Sequence, residues 1–415
     1  MPSGPLTRDR DFLKLWGGQA ISKIGSSITS VGLPLTAAIV LGASPLQMGI
    51  LAGSSGAGVL VFGLFAGAWA DRLRRRSILI SSDLARAALL STIPLAAVVH
   101  RLGMAHLYAV ATFSGILTVF FDASYQAYVP TLVNRENLVE ANSKLALTES
   151  IADVIGPALT GLLVQLITAP MAILLDALSF LCSAGSVRLI RRPEPPPEPG
   201  PAPHIGREIA EGLNASWRNP LLRALLQRAA GGAFFGGFFG SLYFLFAVRE
   251  LHLTALLLGI VVSVGGASNL LGALLAERLL HRLGLGRSLI GAAWTIGLAM
   301  VIVPLAHGPV ALSAAFLIAA QLGDMTWPIY SINETSLRQA ITPDRLLGRV
   351  SSAGHLLFWG ALPLGSLAGG VLAQSIGIRQ TMLIAALGYL LSTLWFTFSP
   401  IRHLRQLPEA PVGGD

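Results

Sequence analysis

Gly67-Ala68-Trp69-Ala70-Asp71-Arg72-Leu73-Arg74-Arg75-Arg76 closes an apolar run that carries no charge over residues 24–70. A shorter copy, Ala276-Glu277-Arg278-Leu279, matches Ala70-Asp71-Arg72-Leu73 at a distance of 206 residues (276 − 70). An acid and a basic cluster ending a membrane-long apolar run, met twice at half the chain length, point to a membrane protein of two related halves. Duplication of this kind points to a carrier.

Composition agrees. With 53% hydrophobic residues, 12% charged and a mean hydropathy of +0.66, the chain has more apolar surface than a soluble core of its size can hide. A hydrocarbon core about 30 Å thick takes about 20 helical residues per crossing. Twelve such runs are predicted, at 12–41, 46–70, 77–99, 104–129, 143–167, 169–187, 224–248, 255–276, 288–306, 309–332, 351–374 and 380–399. The single cysteine, Cys182, excludes an internal disulfide framework, so stability has to come from helix packing. The first apolar run is too long for a cleavable signal and is expected to stay as its own insertion signal.

The pI of about 10.2 does not mark a nucleic-acid binder, because the basic residues fall between apolar runs rather than on one soluble domain. Of the 29 Lys and Arg, 23 lie on the side shared by both termini, three (Arg101, Arg249, Arg379) on the other, and three (Lys23, Arg86, Arg228) inside spans. The positive-inside rule then places both termini of this multi-pass membrane protein in the cytoplasm. The expected organisation is a six-span bundle over 1–192, a cytoplasmic Pro-rich linker over 193–219, a second bundle over 220–400 and a cytoplasmic tail over 401–415. Within the linker, Ile209, Leu213 and Trp217 at four-residue spacing suit a short helix on the membrane surface.

The residues present argue against ATP-driven transport: a Walker A loop needs Gly before Lys, and Lys14, Lys23 and Lys144 follow Leu13, Ser22 and Ser143. No His is followed by Glu, which removes the H-E-x-x-H zinc motif. No metal site, cofactor or catalysis is expected.

The 67–76 stretch resembles the G-x-x-x-D-R-x-G-R-R signature of the major facilitator superfamily, with Gly67, Asp71, Arg72, Arg75 and Arg76 in place and Arg74 where the family usually has glycine. The resemblance covers nearly the whole chain. It implies an all-α membrane protein with twelve transmembrane helices in two pseudo-symmetric six-helix bundles that work by alternating access. In that reading these residues, with Arg86, form a conformational latch, Asp71 capping a helix N-terminus while the arginines pair with acids and headgroups. A plain topology anchor explains the arginines alone about as well. Gly156, Pro157 and Gly161 resemble the glycine-proline motif of antiporters in the superfamily, echoed at Pro363, Gly365, Gly369 and Gly370; ordinary small-residue packing is the alternative.

Shorter stretches (Trp16 to Ser26, Leu138 to Ser143, Asp176 to Phe180 and Arg345 to Val350) are similar to bacterial multidrug, macrolide-efflux and enterobactin exporters. The resemblance implies a proton-coupled antiporter exporting amphipathic drug-like or natural-product compounds and conferring antibiotic resistance, its partners being that small molecule, protons and the lipid bilayer, and the protein a monomer. An importer or a lysolipid or lipid flippase of the same fold is the alternative.

In the superfamily, spans one, four, seven and ten line the cavity. Here they offer Gln19, Ser22 and Ser26, then Tyr125, then Phe235, Phe238, Phe239 and Tyr243, then Gln321 and Trp327 as substrate-binding candidates; packing against helices or lipid is the alternative for each aromatic. A carboxylate at mid-membrane costs about 2.5 to 3.5 kcal/mol on insertion scales, so it normally has a partner or a function. Asp122 and Asp324 are expected as the proton-coupling pair, with Asp153 and Asp176 next. Salt bridging is the competing role, Asp83 with Arg86 locally, or Asp122 with Arg76 or Arg86.

Overall fold

The computed structural model describes Leu6 and residues 9–70, 73–194 and 205–408. Among these residues the secondary structure is helical throughout, and twelve segments are long and apolar enough to cross a membrane, one for each predicted run.

Eleven crossings are formed by single helices: α1 (Arg10–Leu35), α2 (Pro45–Ala70), α3 (Arg75–Val98), α4 (Met104–Leu132), α5 (Leu138–Ile167), α6 (Ala169–Arg188), α8 (Pro220–Arg249), α9 (Ala255–Leu283), α10 (Leu285–Leu305), α13 (Asp344–Ile376) and α14 (Ile378–Thr397). Between them, α7 (Ile205–Arg218) is the short linker helix. The tenth crossing is broken, α11 (Val310–Leu322) passing through a 3₁₀ turn at Gly323–Met325 into α12 (Thr326–Ile341). Pro34 lacks the N–H that would close an α-helical bond, and α1 runs on as a π-helical turn over Thr36–Val40. Helices α5, α12 and α13 begin or end several residues beyond the predicted edges. In α5 and α12 the extra turns carry i,i+4 ion pairs that support the helix outside hydrocarbon, Lys144 with Glu140 and Arg338 with Glu334.

The chain divides into two compact units. The first comprises Met1–Ala43, Ser54–Pro203 and Thr254–Ser263; the second comprises Ser44–Gly53, His204–Leu253 and Val264–Asp415. In the first unit α1 packs on α5 and α6, and α3 on α4 and α6. Leu15, Leu79, Tyr128 and Leu132 are fully buried in its core. In the second unit α8 packs on α13 and α14, and α10 on α12 and α14.

The repeat is visible in turn geometry. Thr168 joins α5 to α6 with φ +85° and ψ 154°, and Gly377 joins α13 to α14 with φ +95° and ψ 160°. The two lie 209 residues apart (377 − 168). Glycine adopts this backbone freely, whereas a β-branched threonine there is strained.

Helix α7 departs from the stripe expected of it. Gly212 and Ser216 are its buried edge and Trp217 is exposed. Glycine at 212 lets α7 lie backbone-to-backbone against Arg349 of α13, and Glu211 pairs with the Arg349 guanidinium. This edge is therefore used for protein packing.

Candidate functional site in the first unit

A cavity of about 390 Å³ opens between α1, α4 and α5 of the first unit, lined by residues that include Gln19, Lys23, Tyr125, Gln126, Thr148 and Glu149. Helical spacing puts Gln19 and Lys23 on one face of α1, and Thr148 and Glu149 one turn above Leu145 on α5. Lys23 Nζ donates to Glu149 at 2.7 Å, and Trp16 Nε1 donates to Thr148 at 2.8 Å. Asp122 of α4 is exposed, makes no ion pair among the described residues, and lies within electrostatic reach of Lys23, Arg86 and Glu149. Asp153, also exposed, is within reach of Glu149 and Lys23. One ammonium is thus paired with one carboxylate and lies within electrostatic reach of two more. When all are ionised, the group carries net negative charge that an organic cation or protons can neutralise.

Behind the cavity lies a buried polar layer. Gln19 Nε2 donates to Ser183 Oγ at 2.9 Å. Arg86 bonds Asp83 at 2.5 Å and Thr118 at 3.3 Å, while its guanidinium lies 4.4 Å from the Phe121 ring centre and 4.1 Å from that of Phe180. Both charged side chains are almost fully buried, so this pair belongs to the packed interior and not to the loop. That is the local Asp83–Arg86 pairing, and it separates Arg86 from the latch residues. Asp176 is buried and accepts from Thr29 Oγ1 and, at 3.0 Å, from Ser179 Oγ. Such a satisfied carboxylate ties α1 to α6.

The other latch residues give a partial picture. Asp71 and Arg72 lie outside the described residues, and Gly67 falls in the last turns of α2. At the start of α3, the backbone N–H groups of Arg75 and Arg76 donate to the Glu194 carboxylate at 2.7 and 3.2 Å, and the Arg76 guanidinium donates to Arg188 O at 2.7 Å. The anion at this helix N-terminus is thus Glu194, from the segment after α6, a partner that the sequence reading did not single out.

Gly156, Pro157 and Gly161 are all buried. Gly156 seats Ser27 of α1, and Gly161 faces the backbone of Ala255 and Leu256 at the start of α9. Ser263 Oγ accepts from Ala158 N–H at 2.9 Å. The echo does the same in the second unit, where Gly370 faces the backbone of Pro45, Leu46 and Gly49 at the start of α2.

The remaining candidates separate. Ser22 is buried and Ser26 half-buried, and neither is among the cavity lining residues. In the second unit Phe238 lies against Gly369 of α13 and Phe235 against Gly388 of α14, so small residues opposite draw these rings into helix packing. Phe239 packs beside the core formed by Met300, Ala386 and Tyr389, and Tyr243 pairs with it at 6.1 Å between ring centres. Trp327 is 45% exposed and stacks on Tyr330 at 6.4 Å. Asp324 sits in the 3₁₀ break, its carboxylate and the Gln321 amide both lying over Gly265 of α9, with no ion pair for Asp324 among the described residues. What sequence reasoning missed was the pairing of Lys23 with Glu149. The signal was present: an intramembrane lysine in one span and an intramembrane acid in another.

Twelve apolar spans in two six-helix bundles, repeated turns and intramembrane charges define a major facilitator transporter, a multi-pass membrane protein. The profile of transmembrane secretion effectors matches residues 2–412, and the chain belongs to that family. The multidrug efflux pump Tap of Mycolicibacterium fortuitum is 27% identical over 93% of this chain and 94% of that protein. Macrolide efflux protein A of Streptococcus pyogenes is 25% identical, covering 95% and 97% respectively. Among solved structures, a bacterial homologue of the iron transporter ferroportin in its inward-facing state superposes with a TM-score of 0.77 over 93% of this chain and 98% of that one, at 19% identity.

Proposed function

We propose that this chain exports amphipathic small molecules from the cytoplasm in exchange for protons, from a plasma membrane in which both termini face the cytoplasm. The observation that carries the proposal is the Lys23–Glu149 pair in the cavity wall, with Asp122 and Asp153 within electrostatic reach. An ionised Glu149 holds Lys23; a protonated one releases it and changes the charge presented to a ligand. Proton and cationic substrate then compete for the same carboxylates, which is the linkage an antiporter requires. Tyr125, stacked on Phe121 at 5.8 Å, gives an aromatic face to the same cavity and suits a bulky apolar compound better than a sugar.

The efflux activities named for the Tap and macrolide relatives support export as the direction. The excess of basic residues on one side of the spans supports the orientation. Accumulation of a fluorescent cationic dye such as ethidium, measured in cells with and without the protein, tests the proposal. Lower accumulation that a protonophore abolishes is expected. Equal accumulation in both cell lines, or a difference that persists after the gradient is collapsed, contradicts it.

A further inference from the structure

Each unit holds a guanidinium between two aromatic rings, and the two arrangements differ in how the cation is compensated. In the first unit Arg86 lies between Phe121 and Phe180. In the second, Arg228 lies 5.6 Å from the Tyr330 ring centre and 4.2 Å from that of Tyr389. Tyr330 follows Phe121 by 209 residues (330 − 121), and Tyr389 follows Phe180 by the same interval (389 − 180), which is also the spacing of the Thr168 and Gly377 turns. The ring pairs are therefore equivalent positions of the repeat, whereas the cations are not: Thr295 stands one repeat after Arg86, and Arg228 stands one repeat after Gln19.

Their charge balance differs. Arg86 is neutralised by Asp83 within its own helix, whereas Arg228 makes no salt bridge among the described residues. The position one repeat after Asp83 is Ala292. Arg228 is only 4% exposed, and its Nε and the Tyr330 hydroxyl are both buried without a hydrogen-bond partner. The Tyr389 hydroxyl takes one hydrogen bond from the guanidinium, and the rings attract it, but neither carries a negative charge and the Nε edge stays unpaired. An uncompensated buried cation is costly, and a planar fork of donors beside a free phenol has the geometry of a carboxylate receptor. Replacing both phenylalanines by tyrosines adds donors where an anion would need them.

We infer that Arg228, Tyr330 and Tyr389 form an anion-binding site in the second unit, which takes the carboxylate of an amphipathic organic anion against Arg228 and its apolar body against the tyrosine rings. The inference stands apart from proton coupling at the first unit's cavity.

The test uses the 415-residue chain in phosphatidylcholine nanodiscs, with benzoate as the probe and benzamide as its neutral counterpart, read by thermal unfolding. Benzoate should raise the melting temperature in a saturable way and benzamide should not. Arg228→Gln should raise the half-saturating benzoate concentration about tenfold or more, equivalent to at least about 1.4 kcal/mol of lost binding. Arg228→Lys, which keeps the charge and loses the fork, and Tyr330→Phe, which loses only the hydroxyl, should both weaken it, so the test stands even if Arg228→Gln does not fold. Lys23→Gln should leave the benzoate response in place, separating this site from the cavity. Repeating the titration in phosphatidylglycerol nanodiscs distinguishes the source of the anion: an unchanged benzoate response supports a free organic anion, and its loss would assign the site to a lipid headgroup and overturn the inference. Equal responses to benzoate and benzamide, or an unaltered benzoate response in the three site variants, would show that the clamp is only a packed cation and overturn it as well.

Discussion

Lys23 of α1 and Glu149 of α5 form a 2.7 Å ion pair, with 40% and 57% of their side-chain surfaces exposed in the wall of the first unit's cavity. An exposed pair of this kind contributes about 0–1 kcal/mol to stability, so it can open and close at little energetic cost. The buried Asp83–Arg86 pair within α3 has the opposite character. One arrangement suits a switch and the other a strut.

Glu149→Gln should therefore leave the protein folded, with unfolding stability changed by under about 1 kcal/mol. Gradient-driven efflux should fall by about tenfold or more, because the neutral amide cannot alternate between holding and releasing Lys23. Parallel thermal unfolding and dye-efflux assays of one preparation check both halves. Unimpaired efflux would remove Glu149 from the coupling machinery.

Asp83→Asn should act on stability instead. Removing the charge leaves Arg86 buried and uncompensated, a loss of about 3–5 kcal/mol. The double replacement Asp83→Leu with Arg86→Met removes both charges and should recover most of it. Chemical unfolding of the parent and the two variants in detergent measures the difference, and a single variant as stable as the parent would contradict the strut.

Asp122 and Asp324 should respond differently to replacement. Asp324 follows Asp122 by 202 residues (324 − 122), seven short of the 209 that relates equivalent positions in these helices. Seven residues are about two helical turns, so the acids share a face but differ in depth by about 10 Å. Asp122, within reach of Lys23 and Glu149, is the proposed coupling acid, and Asp122→Asn should abolish gradient-driven efflux while substrate exchange remains measurable. Asp324→Asn should mainly alter substrate affinity. Transport and equilibrium exchange assays on both variants separate these outcomes, and the reverse assignment would move the coupling role to Asp324.

Gly161→Ala and Gly370→Ala should each impair transport, since a Cβ at either position meets the backbone of the helix packed on it, Ala255 for Gly161 and Pro45 for Gly370. Gly185→Ala is the control, because nothing lies within 4 Å of a Cβ there. Efflux rates normalised to membrane-inserted protein test the set, and equal rates in all three would make the glycines incidental.

Much of the fold is legible in residue order. The twelve apolar runs, the duplication, the linker helix and the glycine echo each depend on local composition or short spacing, which a helix translates directly into structure. The functional side chains are less so. The Lys23–Glu149 pair joins two helices 126 residues apart, and nothing in either segment names the other. Phe235 and Phe238 read as cavity lining from α8 alone, yet Gly388 and Gly369 opposite determine that those rings are packed away. The 206-residue interval between the loop motifs and the 209-residue interval between Phe121 and Tyr330 likewise differ by three residues gained between the loop and the later spans, a shift that only equivalent contacts reveal.

The most direct test of proton-coupled export is a flux measurement on the purified protein in proteoliposomes carrying a pH-sensitive dye in the lumen, with an acidic interior imposed and the inside-out fraction established by protease accessibility. Adding ethidium outside should drive proton efflux and ethidium uptake together, and Glu149→Gln should abolish both. Ethidium uptake that proceeds at the same rate without a pH gradient, or that moves no protons, would contradict it.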